Sequence, residues 1–213
     1  MKINLLEISI YFISIDEEKT ESMTRKLTEA GFTNFQKFDG LTSTQKITGC
    51  ALSHREVITQ KSLVGTEPFL ILEDDVKIAN MINEIEIPDD ADGFYVGTSK
   101  VGFYNGSDYP TISAEKINDD LYRVYNMLAT HAIMYITPEF TKDYIRTTNT
   151  AIDLNIPHDV ARAEVMKYWN VYVLNKPLFV QEGPYESYTN KSVDQLNKVD
   201  KLHANMLKRK KFR

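Results

Sequence analysis

The feature that most restricts the fold is Phe69-Leu70-Ile71-Leu72, an unbroken apolar run ended by Glu73-Asp74-Asp75. Four large apolar residues in succession suit a strand covered on both faces, and such strands belong to sheets with helices packed on either side. The rest of the chain fits that setting. Ile8 to Ile15 is rich in β-branched and aromatic residues and reads as a buried strand, and Asp16 to Ala30 reads as a helix stopped by Gly31. A strand over Phe32 to Phe38, a turn at Asp39-Gly40 and a helix from about Gly49 to Leu63 come next. Further strands are expected at Phe94 to Gly97, Leu121 to Met127, His131 to Ile136, Val171 to Leu174 and Leu178 to Val180. Val101 to Pro110 reads as a loop, and helices are expected to start at Thr137-Pro138 and at Pro157. This alternation predicts a single α/β domain, Rossmann-like, with a mostly parallel central sheet and ligands beyond the carboxyl ends of its strands.

No Pro/Gly/Ser-rich linker or repeat divides the 213 residues. Residues 1–190 are expected to form the domain. Residues 191–213 are expected to add an amphipathic helix, with Val193, Leu196, Val199, Leu202 and Met206 on one face, and a basic tail. At 42% hydrophobic and 26% charged the chain can bury a real core, which excludes a disordered polymer. No stretch approaches the roughly 18 apolar residues that span a bilayer, and the opening MKINLLEISIYFISID is broken by Asn4, Glu7 and Ser9. A lone cysteine, Cys50, excludes an internal disulfide and a cysteine-built zinc site, and suits a reducing cytoplasm.

The net charge of −5 is uneven, because Lys201, Lys208, Arg209, Lys210, Lys211 and Arg213 close the chain without an acid among them. The acidic remainder argues against a broad nucleic-acid-binding face, while the tail suits a solvated helix end, anionic lipid or nucleic-acid phosphates.

The triplet is the richest chemical signal. On an extended segment Glu73 and Asp75 project the same way and Asp74 opposes them. Two carboxylates on one side need a cation, a proton or hydrogen-bond donors to coexist. Oxygen ligands of this kind suit Mg2+ or Mn2+; a solvated acidic turn is the alternative.

From Gly49 to Val76 the chain reads GCALSHREVITQKSLVGTEPFLILEDDV, which resembles the signature of glycosyltransferase family 25, the lipopolysaccharide and collagen galactosyltransferase group. FDGLTS, the strand from Asp92 to Thr98, THAIMYITPEF, Pro157-His158-Asp159 and VYVLNKPLFVQ are also similar, so the resemblance covers about Ile8 to Ser187. The chain departs from the family where an Arg usually follows the first strand; here it reads Ser14-Ile15-Asp16.

The resemblance implies a GT-A-type fold and an inverting, metal-dependent transferase that takes its sugar from a nucleotide-diphosphate sugar, a UDP-sugar first, with Mn2+ or Mg2+. Asp75 and Glu73 are then the metal residues of an Asp-x-Asp-like motif, with Asp74 between them, and Asp159 is the general base. Ser53, His54, Gly97, Thr98 and His131 are implied at the donor site. His158 stands as a surface residue, with a metal ligand or an acceptor contact as the alternatives, Cys50 as a small buried apolar residue, Gln181 without a derived role, and Tyr104 or Tyr109 as a stacking surface. The expected acceptor is a bacterial surface glycan such as lipopolysaccharide, which places the protein in the cytoplasm or at the inner face of the membrane. A hydroxymethylated base in phage DNA comes second. An inactive nucleotide-sugar-binding homologue is the third reading.

Overall fold

The apolar run becomes the central strand, and its alternation splits the core in two. The computed structural model describes residues 1–65, 67–109, 111–196 and 205–206. Its main sheet has eight strands: β1 (Ser9–Ser14), β2 (Phe35–Asp39), β3 (Phe69–Glu73), β4 (Gly93–Tyr95), β5 (Ala114–Lys116), β6 (Leu121–Val124), β7 (Ala132–Tyr135) and β8 (Val171–Leu174). Four longer helices accompany it: α1 (Glu17–Glu29), α2 (Lys46–Val64), α3 (Pro138–Leu154) and α4 (His158–Met166). Leu70 and Leu72 of β3 join Ile10, Phe12, Phe94 and Met134 on one face, packed against Met23 and Leu27 of α1. Phe69 and Ile71 join Tyr95, Ile133 and Val173 on the other, packed against Val57 and Ile58 of α2 and Phe140 and Tyr144 of α3. Burying each such side chain is worth about 1.5–3 kcal/mol, so the two-sided run anchors both layers.

The strand order is β5-β6-β8-β4-β7-β3-β1-β2. β1 runs parallel to β2 and β3, and β8 runs parallel to β4. β7 lies between β3 and β4 and is antiparallel to both, and β5, β6 and β8 form further antiparallel pairs. The expectation of a mostly parallel sheet is therefore corrected: the sheet is mixed. A continuous apolar strand reports that both faces are covered, and β7 is as fully buried as β3, so burial alone does not reveal direction. The connection does. Residues 96–131 leave from the carboxyl end of β4 and return at that same end, so β7 must run back against β4.

Local chemistry sets the helix starts. Asp16 caps α1 by accepting the Lys19 N–H, and Thr137 caps α3 ahead of Pro138. Asn155 ends α3 in the left-handed region at φ 52°, and the chain then turns through Pro157 into α4. Arg162 of α4, fully buried, lies 3.9 Å from the centroid of the Phe140 ring and fastens α4 to α3. The expected loop after Val101 is a hairpin, Gly102–Tyr104 with Ser107–Tyr109, tied to α4 by the Gly106 N–H donating to Glu164 at 2.8 Å. Of the expected C-terminal helix, Val193–Leu196 is helical; Val199, Leu202 and the basic tail from Lys208 lie outside the described residues. Among the described residues no helix is long and apolar enough to cross a membrane.

Gly93 shows how tightly the sheet meets α3: a Cβ there would overlap the Phe140 ring. Gly93→Ala is expected to cost about 1–3 kcal/mol, read as a lower urea midpoint at unchanged slope. An unchanged midpoint would mean that Phe140 moves freely away.

Candidate active site

At the exit of β3 the three acids part company. Glu73 is the last strand residue, and Asp74 and Asp75 form the turn into a short strand, Val76–Ile78, that pairs with Phe179–Gln181. Glu73 accepts from Thr130 Oγ1 at 2.8 Å and lies 3.2 Å from His54 Nε2. Burial works against its charge, yet the bond from His54, the field of His131 and the bond from Thr130 hold its carboxyl down at about 2. Asp74 faces the other way. Its two oxygens accept from Ser14 Oγ at 2.7 Å and Lys19 Nζ at 2.9 Å, which ties the turn to β1 and α1. Asp75 is the acid left wanting: Gln181 Nε2 reaches one oxygen at a long 3.4 Å, and Oδ1 is buried without a hydrogen-bond partner among the described residues. Burial and the Glu73 charge push its carboxyl up to about 6. An orphaned, partly desolvated carboxylate oxygen fits a hard divalent cation, which would offset the charge that burial and Glu73 disfavour.

Two cavities meet there. The smaller, of about 380 Å³, runs from the ends of β1 and β2 along the first turns of α2, past Ile15, Leu41, Ser43, Lys46 and Asp75. The larger, of about 610 Å³, lies between the 96–131 excursion, the start of α4 and the segment at Tyr185 to Thr189, and Asp159 lines it. Glu73 and Cys50 line both. Ser53 is buried and serves the smaller cavity indirectly, accepting the Leu41 N–H at 2.7 Å and so pinning the loop that forms its wall.

Asp159, in the first turn of α4, receives the Val160 N–H at 2.9 Å, while burial raises its carboxyl to about 6. His158 is not a surface residue but is 5% exposed, against the expectation from sequence, and burial and then the neighbouring His54 push its imidazole down to about 3. Cys50 is exposed rather than buried, so its expected role as a small apolar filler is corrected.

Gly97, Thr98 and His131 lie outside both cavities. Gly97 is pressed against His131, where a Cβ would overlap the imidazole, and Thr98 is buried with its hydroxyl donating to the Thr189 and Lys191 carbonyls at 3.0 and 3.1 Å. These residues brace the floor beneath Glu73, whose N–H donates to the His131 carbonyl at 3.0 Å. Tyr104 lies under Lys167, outside both cavities, and the side chain of Tyr109 is outside the described part. Sequence reasoning missed Lys19, Lys46 and Thr130. No motif marks Lys19 or Lys46, Thr130 opens the THAIMYITPEF segment without a role of its own, and only the fold brings α1, α2 and the chain just ahead of β7 to the end of β3.

No protein-family model matches the chain, and no curated protein does. Solved structures do. A glycosyltransferase involved in glycosylation of the major capsid of PBCV-1 is 16% identical at a TM-score of 0.51, with 84% of this chain and 93% of that chain covered. A nucleoside-diphosphate-sugar pyrophosphorylase from Vibrio cholerae RC9 is 14% identical at a TM-score of 0.44, with 80% and 75% covered. A CTP:phosphocholine cytidylyltransferase from Streptococcus pneumoniae is 10% identical at 0.43, with 83% and 73% covered. At such identities the first likeness is one of fold.

The raised Asp75 carboxyl has a consequence for stability. The folded chain holds that proton more tightly than the unfolded one, so the contribution is full below the ordinary carboxylate range and is lost as pH rises through about 6. In chelator, wild type is expected to lose up to about 3 kcal/mol relative to Asp75→Asn between pH 4 and 7. Urea unfolding across that range measures it, and a gap independent of pH would mean that Asp75 is solvated.

Proposed function

We propose that this protein is an inverting, metal-dependent glycosyltransferase of the family 25 type that moves a sugar from a nucleotide-diphosphate sugar, a UDP-sugar first, to an acceptor hydroxyl. The observation that carries the proposal is the pairing of Asp75, whose buried Oδ1 has no hydrogen-bond partner, with Asp159, a raised carboxyl on the wall of the adjoining cavity. The resemblance around Gly49 to Val76 and the fold shared with a glycosyltransferase support it.

The smaller cavity takes the nucleoside diphosphate, with Lys46 as a cationic group on its wall. Asp75, with Glu73 beside it, would hold Mn2+ or Mg2+. That cation would offset the negative charge that grows on the diphosphate as the glycosidic bond breaks. Gln181 positions the Asp75 carboxylate, and Asp74 keeps the turn fastened to β1 and α1. The sugar sits near Glu73, where the two cavities join. From the larger cavity the acceptor hydroxyl attacks the anomeric carbon on the face opposite the leaving group, and Asp159 takes its proton.

A glycan acceptor is favoured over a DNA base. The larger cavity is walled by Ile47, Val101, Leu128, Pro184, Tyr185 and Tyr188, which suit the apolar faces of sugar rings. Among the described residues, Lys46 is the only Lys or Arg lining either cavity, a poor match to a phosphate backbone.

Uridine diphosphate is expected to raise the thermal midpoint of wild type only when Mn2+ or Mg2+ is present, and not that of Asp75→Asn. At a hundredfold excess over the dissociation constant the gain is about 2.7 kcal/mol. No rise with this or another nucleoside diphosphate would sink the proposal. Asp159→Asn should keep the rise but lower transfer to a glycan acceptor by about 10²–10⁴-fold. The wild-type rate should climb as pH passes about 6, where Asp159 ionises, and then level off. A binding protein without turnover would show the thermal rise and no release of nucleoside diphosphate.

A further inference from the structure

A second set of donors lies beside the carboxylates, and it is of different chemistry. Cys50 and His54 are one turn apart on α2, and His158 opens α4 against them. One donor atom from each of the three residues lies within 4.8 Å of the others. The two imidazoles sit 4.9 Å apart between ring centroids, and neither has solvent to satisfy it, at 0% and 5% exposed. His54 is held through Nε2 by Glu73, while its Nδ1 is buried without a hydrogen-bond partner among the described residues. His158 Nε2 is buried and equally unpartnered. A buried polar atom left unpaired is destabilising, so two in one spot call for an explanation.

We propose that Cys50, His54 and His158 form a binding site for a borderline-soft divalent cation such as Zn2+, separate from the hard-cation site at Asp75. Thiolate and imidazole select late first-row metals, whereas Mg2+ and Mn2+ prefer oxygen. Three protein ligands with a fourth position open to a cavity is a recurring zinc arrangement. Bond lengths of about 2.0–2.3 Å place tetrahedral ligand atoms roughly 3.3–3.8 Å apart, so the cluster has to contract by about 1.5 Å at most. Glu73 on the far nitrogen of His54 is the carboxylate partner that metal-bound histidines usually have. On binding, the Cys50 sulfur–hydrogen bond breaks, the proton leaves to solvent and the thiolate takes the metal.

The position carries a consequence. Cys50 lines both cavities, His54 the smaller and His158 the larger, so an ion there stands in the passage between them. Zn2+ would therefore block transfer rather than support it. The site itself stands on its donors and does not need the transferase reading.

The test is a Co2+ titration of the chelator-stripped full chain without nucleotide. One equivalent should produce a thiolate-to-cobalt charge-transfer band in the near ultraviolet, displaced by one equivalent of Zn2+ but not by excess Mg2+ or Mn2+. Cys50→Ser, at an exposed position, should lose the band with unchanged circular dichroism. His158→Asn should lose it too, while Asp75→Asn keeps it. Absence of the band in folded wild type, its survival in Cys50→Ser or its loss in Asp75→Asn would each overturn the assignment. Because nucleotide is absent, failure here leaves the donor-site test untouched.

Discussion

An ionised carboxylate at the carboxyl end of a fully buried strand is the constraint around which this protein is arranged. Glu73 follows Leu70, Ile71 and Leu72, all inaccessible to solvent, and its charge is held by His54 of α2 and by His131 and Thr130 of the 96–131 excursion. Those bonds fix the relation of α2 and the excursion to β3. The Glu73 charge then reaches its neighbours: after burial, it contributes to the raised carboxyls of both Asp75 and Asp159. Glu73 and Asp75, two residues apart at one strand exit, are thus shifted in opposite directions, and Asp159 is set apart from them by its place on the wall of the larger cavity.

The antiparallel strand β7 converts that chemistry into a site. Because residues 96–131 depart from and return to the same end of the sheet, they build a wall above Glu73 where a parallel crossover would have carried the chain away. The opposite wall comes from α4, fastened to α3 by buried Arg162 and swung into place by the left-handed turn at Asn155. Two cavities joined at Glu73 and Cys50 give a donor and an acceptor separate entrances and a common meeting point. The same closeness brings a thiol and two imidazoles together, so oxygen and softer ligands stand side by side around the carboxylate.

Much of the fold was legible in the residues. The strand over Phe69 to Leu72, the helix after Asp16, the Thr137-Pro138 start and the helix after Pro157 all appear where local chemistry predicts them, within a few residues. Strand direction was not legible, because an apolar run looks alike whichever way it points. Of the implied site residues, Ser53, His54, Glu73, Asp74, Asp75 and Asp159 border the cavities, while Gly97, Thr98 and His131 lie below them. His131 sits next to Thr130 in the chain, yet only Thr130 lines the cavity, while His131 is buried against Gly97. Gln181 could not be interpreted until its amide was found beside Asp75.

What the sequence by itself determined was the kind of structure and the place of its chemistry. A two-sided apolar strand demands helical layers, and three acids at its end demand compensation, both through covalent neighbours. Which acid is compensated, and by what, was decided by tertiary structure. Asp74 is satisfied by Ser14 and Lys19, Glu73 by His54 and Thr130, and Asp75 Oδ1 by no group among the described residues. Those partners are distant in sequence, and electrostatic compensation depends on separation in space.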